Sequence, residues 1–118
     1  MVNQIWYKLL GLASWLTIFV VFPLNQHRVL AQITPDTTLG SESSRVTPNV
    51  EVRGALADLI EGGAGRGANQ FHSFSEFNVQ ELQRVYFANP VGIENILTRV
   101  TGANPSYIGG TLGVDGGA

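Results

Sequence analysis

The stretch from Asn69 to Val79, NQFHSFSEFNV, sets one histidine beside two serines and a glutamate. An imidazole near hydroxyls and a carboxylate is the material of nucleophilic catalysis, where the base takes the hydroxyl proton and an acid orients the base. Ser73, Ser75 and Glu76 lie too close to His72 along the chain to form a triad with it. No cysteine occurs anywhere, and His27, the other histidine, falls in the leader described below. A zinc site or a Cys–His pair therefore lacks partners, and His72 reads as a hydrogen-bonded structural histidine.

A second chemical candidate precedes it. In EGGAGRGAN, Gly63, Gly65 and Ala68 fit the dinucleotide pattern G-x-G-x-x-A. That chemistry needs a helix opening after the last small residue, so that its amide dipoles face a pyrophosphate. Asn69 to Ser73 offers no good helix formers, and no Lys-Ser or Lys-Thr follows Gly67 to make a P-loop. The segment is expected to be a plain flexible turn. A third candidate, paired carboxylates of the kind that cleave glycosides, is not met: Asp58, Glu61, Glu76, Glu81, Glu94 and Asp115 are scattered singly. No cofactor, metal or small-molecule ligand is expected.

The segments that must position these residues begin after an N-terminal leader. Leu9 to Leu24 is an apolar run of 16 residues, followed by a polar stretch ending Val29-Leu30-Ala31. Compact residues before Gln32 complete a secretory signal peptide, with cleavage expected between Ala31 and Gln32. The alternative, an uncleaved anchor, would want about 17 to 25 apolar residues. Removal of residues 1–31 takes both tryptophans and leaves five arginines against nine acids, a net charge of −4. A nucleic-acid binder needs clustered positive charge, so none is expected as a partner. The absence of cysteine also excludes a disulfide framework.

Gln32 to Pro48, rich in Thr, Ser, Pro and Gly, reads as a short extended opening followed by a loop. Asn49 to Arg53 alternates polar and apolar residues as a half-buried strand does. Ala55 to Ile60 fits either a helical turn or a strand. Arg84 to Phe87 predicts a short strand with Val85 and Phe87 on one side. Phe71, Phe74 and Phe77 cannot all share one face of a flat strand, but a bend near Ser73 to Ser75 would turn them toward a common core.

Ala88 to Gly102 and Ala103 to Gly117 align as an imperfect repeat, with Ala88/Ala103, Asn89/Asn104, Pro90/Pro105, Ile93/Ile108, Leu97/Leu112 and Gly102/Gly117 identical. So short a unit resembles one coil of a solenoid. Asn89-Pro90 and Asn104-Pro105 are expected to make corners. Strands then follow, with Ile96, Thr98 and Val100 on one face of the first copy and Ile108, Gly110, Leu112 and Val114 on one face of the second. Ile93, Ile96, Leu97 and Val100 also fit a helical period, but Pro90, Gly92 and the β-branched residues favour strand.

The runs GANQFHSFSEFNV and VYFANPVGIENILTRVTGANPSYIGGTLGV, with the opening QITPDTTLG, resemble the amino-terminal secretion domain of filamentous haemagglutinin-like proteins, the exported partners of two-partner secretion systems, in the form common among cyanobacteria. The resemblance spans residues 32–118. It implies an all-β, right-handed parallel β-helix with amino-terminal capping strands. It implies export by the Sec machinery and recognition in the periplasm by an outer-membrane β-barrel transporter, delivering an adhesin-like protein to the cell surface. Recognition residues and coil corners are expected at Asn78, Val79, Asn89, Pro90, Asn104 and Pro105. Core or cap positions are expected at Phe71, Phe74, Phe77, Val85, Phe87, Ile96 and Leu112.

Two departures stand out. Gln70 occupies a place where the family usually has leucine, which is expected to weaken one core position or partner contact. Family members also continue past Ala118 into a further strand and an Asn-Pro-Asn-Gly-Ile motif, so residues 32–118 are expected to carry the first coils alone and to be secreted inefficiently. Two other functions remain open from the sequence: the start of an extracellular β-helix enzyme acting on polysaccharide, and a truncated reading frame without activity.

Overall fold

The computed structural model describes residues 33–116. The signal peptide and its Ala31/Gln32 boundary lie outside the described residues. Strands β1 (Ile33–Pro35), β2 (Ser44–Val52), β3 (Ala55–Gly62), β4 (Ala64–Arg66), β5 (Asn69–Phe77), β6 (Arg84–Asn89), β7 (Asn95–Val100) and β8 (Thr111–Gly116) are joined by turns and one short 3-10 segment, Gly40–Glu42. No α-helix occurs among the described residues, so the class is all-β.

The opening half folds by antiparallel hairpins. β2 and β3 meet across a two-residue turn in which Arg53 and Gly54 both have positive φ (53° and 89°), the backbone twist that matches flanking strands. The ambiguous stretch from Ala55 is thus a strand, fixed by its pairing. β2 begins at Ser44, inside the segment expected to be a loop. Its Pro48 and Asn49 fall where the register against β3 shifts, and Asn49 takes a φ of 60° there. A proline without a donor is tolerated at such an irregularity. The glycine-rich EGGAGRGAN is likewise not a plain turn: Ala64, Gly65 and Arg66 pair with Phe71, Gln70 and Asn69.

The later half stacks in parallel. β5 pairs with β7, β3 with β6, and β6 with β8. Two four-stranded sheets result: β5 flanked by β1 and β4 on one edge and β7 on the other, and β2-β3-β6-β8 in that order. Partners such as Phe71/Leu97, Ile60/Phe87 and Val85/Leu112 place one structural period at about 27 residues. This corrects the 15-residue coil read from the sequence repeat. Asn89 lies beside Gly116, 27 residues on, and not beside Asn104. The expected strands over 96–100 and 111–114 are present as β7 and β8, and Ile108 forms a single parallel bridge with Val79.

The core lies between the sheets. Ile60, Phe74, Phe77, Val79, Val85 and Phe87 are buried together, with Ile33, Val46 and Ile96 at the margin. How Phe74 and Phe77 face the same way follows from a bulge. Thr34 pairs with Glu76 and Pro35 with Phe74, leaving Ser75 as an extra residue on β5. One extra residue inverts the alternation, so positions three apart share a face. The rings of Phe74 and Phe77 meet edge to face at 5.0 Å, and Phe77 stacks on Phe87 at 6.0 Å. Phe71 precedes the bulge and is only half-buried, on the opposite face. Leu112, expected inside, is 41% exposed: it continues the column begun by Val85, but no described strand pairs with the outer edge of β8.

Two corner turns make an internal comparison. In Pro90–Ile93 the Ile93 amide donates to the Pro90 carbonyl, and Gly92 takes φ 88°. In Gln80–Gln83 the Gln83 amide donates to the Gln80 carbonyl, but Leu82, 97% exposed, is the residue held at φ 71°. A side chain there is strained and glycine is not. Leu82→Gly is expected to raise stability by about 1 kcal/mol in chemical denaturation, whereas Gly92→Leu should lower it.

Candidate functional site

Inside the core, His72 is 2% exposed, and its ring lies tilted against Phe87 with centroids 5.2 Å apart. Its Nδ1 lies 2.8 Å from the hydroxyl of Ser44, which is buried as well and also accepts the Ser73 amide. This is a histidine–serine pair, with the serine supplied by β2 and not by its sequence neighbours. The other ring nitrogen is buried without a hydrogen-bond partner, so no acid orients the ring. The pair seals β2 against β5 and holds a neutral imidazole.

Burial lowers the His72 pKa below its ordinary value of about 6.5. The unfolded chain thus binds the proton more readily than the folded one. Stability contributed by the neutral ring is present above about pH 6.5 and is lost progressively as pH falls toward the depressed folded value. Denaturation midpoints should accordingly drop between about pH 7 and 5, and His72→Phe should flatten that slope; an unchanged slope in the variant would assign it elsewhere.

Gln70 shows why a polar residue is tolerated in a core position. It is 7% exposed, and its side-chain amide donates to the carbonyl of Gly62 at the end of β3. The departure from the family's leucine thus replaces an apolar contact with a satisfied hydrogen bond instead of leaving a defect.

On the outer face of the β5 sheet the residues after β1 build a polar network. The Asp36 carboxylate accepts from the Thr38 amide (3.0 Å) and hydroxyl (2.7 Å), the Ser73 hydroxyl (2.8 Å) and the Thr101 hydroxyl (2.7 Å). Arg99 completes it from β7, its guanidinium donating to the hydroxyls of Ser73 (2.8 Å) and Thr38 (2.6 Å). Arg99 and Asp36 are therefore linked through the hydroxyls of Ser73 and Thr38, which accept from the one and donate to the other. The hydrogen bonds, that of Thr101 foremost, hold the Asp36 carboxyl well below the usual carboxylate range. Beside the network runs an open groove of about 510 Å³ lined by Leu39, Phe71 and Leu97, with Arg66 and Arg99 at its sides.

The residues read as recognition points or corners fall at the strand ends. The Asn78 side chain accepts the Tyr107 amide at 2.8 Å, and Val79 is clamped by Tyr107 and Gly109 through backbone bonds of 2.8 and 2.6 Å. Asn89 ends β6 and leads through Pro90 into its corner turn, whereas Asn104 and Pro105 lie in an irregular stretch where Asn104 donates to Glu76 at 2.8 Å. The structure brings Asn78, Val79 and the 104–108 stretch together; Asn89 belongs to the other sheet. Asp36, Ser44, Arg99 and Thr101 were not singled out from sequence. The available signal was an arginine within the apolar pattern of β7, and nothing in its spacing points to a partner 61 positions away.

No curated protein and no solved structure was found to match the chain. The TPS secretion domain family matches residues 31–118, a span containing every described strand, the buried His72–Ser44 pair and the outer Asp36 network. With three quarters of its length within that match, the chain belongs to the TPS secretion domain family.

Proposed function

We propose that residues 32–118 are the secretion-recognition and fold-initiating module of a two-partner secretion exoprotein. Exported through the Sec machinery behind the 1–31 signal peptide, the module is bound in the periplasm by an outer-membrane β-barrel transporter of the matching type. It acts by recognition, not by catalysis. The observation that carries this reading is the family match over 31–118. Support comes from the parallel pairing of β5 with β7, of β3 with β6 and of β6 with β8, partners in each case about 27 residues apart. We read these pairings as the first coils of a right-handed parallel β-helix, with β1, β2 and β4 as its antiparallel cap. The exoprotein itself is of the adhesin or haemagglutinin-like kind, displayed at the cell surface or released.

Co-expression tests the assignment. Cells carrying a matching transporter should release to the medium either this chain or the same chain extended through the Asn-Pro-Asn-Gly-Ile motif, and cells without the transporter should retain both in the periplasm. Retention of both beside a transporter that exports its own substrate would overturn the proposal.

A further inference from the structure

β1 is held to its sheet by a short and irregular ladder, yet it covers an edge. It pairs with β5 at three positions only, Ile33 with Phe77, Thr34 with Glu76 and Pro35 with Phe74, across the Ser75 bulge. Pro35 has no N–H to donate to the ladder. β4 covers the same edge of β5 only as far as Phe71, and β7 occupies the opposite edge. The backbone from Phe74 to Phe77 is thus shielded by three residues.

Side chains immediately after β1 do the fastening. The Asp36 amide donates to the Ser73 carbonyl at 3.2 Å, and its carboxylate and Thr38 are gripped by Ser73, Arg99 and Thr101. Two of those three residues come from 61 to 65 positions further along the chain. The fastening is consequently incomplete until β7 has been laid against β5, and it is breakable without disturbing the core, because the network lies on the outer face.

We propose that β1 is a displaceable strap, fastened by Asp36, Ser73, Arg99 and Thr101, and that its release bares the Phe74–Phe77 edge of β5 for pairing with an extended strand of the transporter. The partner half of this proposal rests on recognition by such a transporter. The chemistry of the displaced strand defines the incoming one. It runs antiparallel to β5, carries an apolar residue where Ile33 packs at the core margin, and offers a carbonyl where that of Thr34 accepts the Ser75 hydroxyl at 3.2 Å. Backbone pairing at a sheet edge supplies affinity in this mode, and alternate side chains supply selection.

Hydrogen exchange and a reversible lock test the two halves separately in the exported chain. Arg99→Met and Thr101→Val should speed exchange of the Asp36 amide and of the β1–β5 edge about tenfold or more, with β3 and β6 amides unchanged. Thr101→Ser should restore the slow rate. An unchanged Asp36 amide, or acceleration shared equally by β3 and β6, overturns the strap. For the partner half, Thr34→Cys with Glu76→Cys forms a lock in a chain otherwise free of cysteine. The oxidised form should bind the transporter's periplasmic region at least about tenfold more weakly than the same protein after reduction, since locking removes the competent state. Equal binding of the two forms overturns displacement. Binding by no form, native chain included, overturns transporter recognition and the partner half with it, while the exchange rates still decide the strap.

Discussion

Phe74→Ala is expected to abolish the cooperative unfolding transition of the exported chain. The ring is fully buried, in contact with His72 and Phe77 between the two sheets. Truncating a buried phenylalanine costs about 3–5 kcal/mol, because the cavity collapses only in part. A core in this size range without disulfides rarely supplies more than about 3–5 kcal/mol in total. The variant should show no sigmoidal thermal melt and should lose its near-ultraviolet aromatic signal. Phe71→Ala is the control: half-buried on the far side of the same strand, it should lower stability by about 1 kcal/mol and keep the transition. Equal losses from the two substitutions would refute the bulge-generated division of the three phenylalanines.

Gly110→Ala is expected to detach the last strand. A Cβ at this position would collide with the carbonyl oxygens of Gln80 and Gln83 and crowd a Val79 methyl at 3.1 Å. Both carbonyls belong to the backbone of the preceding corner turn and cannot rotate away as a side-chain tip can. A cost of about 1–3 kcal/mol follows from such overpacking. The nearest release is separation of β8, which begins at the next residue and is held there by the Thr111 amide on the Gln83 carbonyl at 2.9 Å. Amide exchange should therefore rise over 107–116 while β2 and β3 stay protected. An undisturbed β8 would show that the turn yields instead.

The strands were legible in the sequence where side chains follow a period of two. Asn49–Arg53, Arg84–Phe87 and the two segments near Ile96 and Leu112 all display period two and occur as strands, except that Arg53 falls in the turn after β2. Ala55–Ile60 was not separable from a helical turn because its identity is set by β2 and β6 on its two edges, which no local pattern records. The repeat misled about which positions pair for a physical reason: its two Asn-Pro steps lead into different local structures, a hydrogen-bonded turn at Pro90–Ile93 and an irregular stretch at Asn104 and Pro105. The bend in the phenylalanine segment was inferable from spacing, but its cause, a bulge against β1, was not. Least legible was the polar network, since Asp36 meets Arg99 only through two hydroxyls and only once β7 has paired with β5.

The position of β6 between β3 and β8 fixes where this chain tolerates changes in length. An insertion in the Gln80–Gln83 corner lengthens a surface connection, and loop closure grows only slowly with added residues. One residue inserted between Val85 and Phe87 would instead put every following side chain of β6 on the wrong face relative to two neighbours at once. Drift in this lineage should for that reason lengthen and shorten corners freely while the spacing within β6 stays constant, and aligned relatives would carry their gaps at the corners.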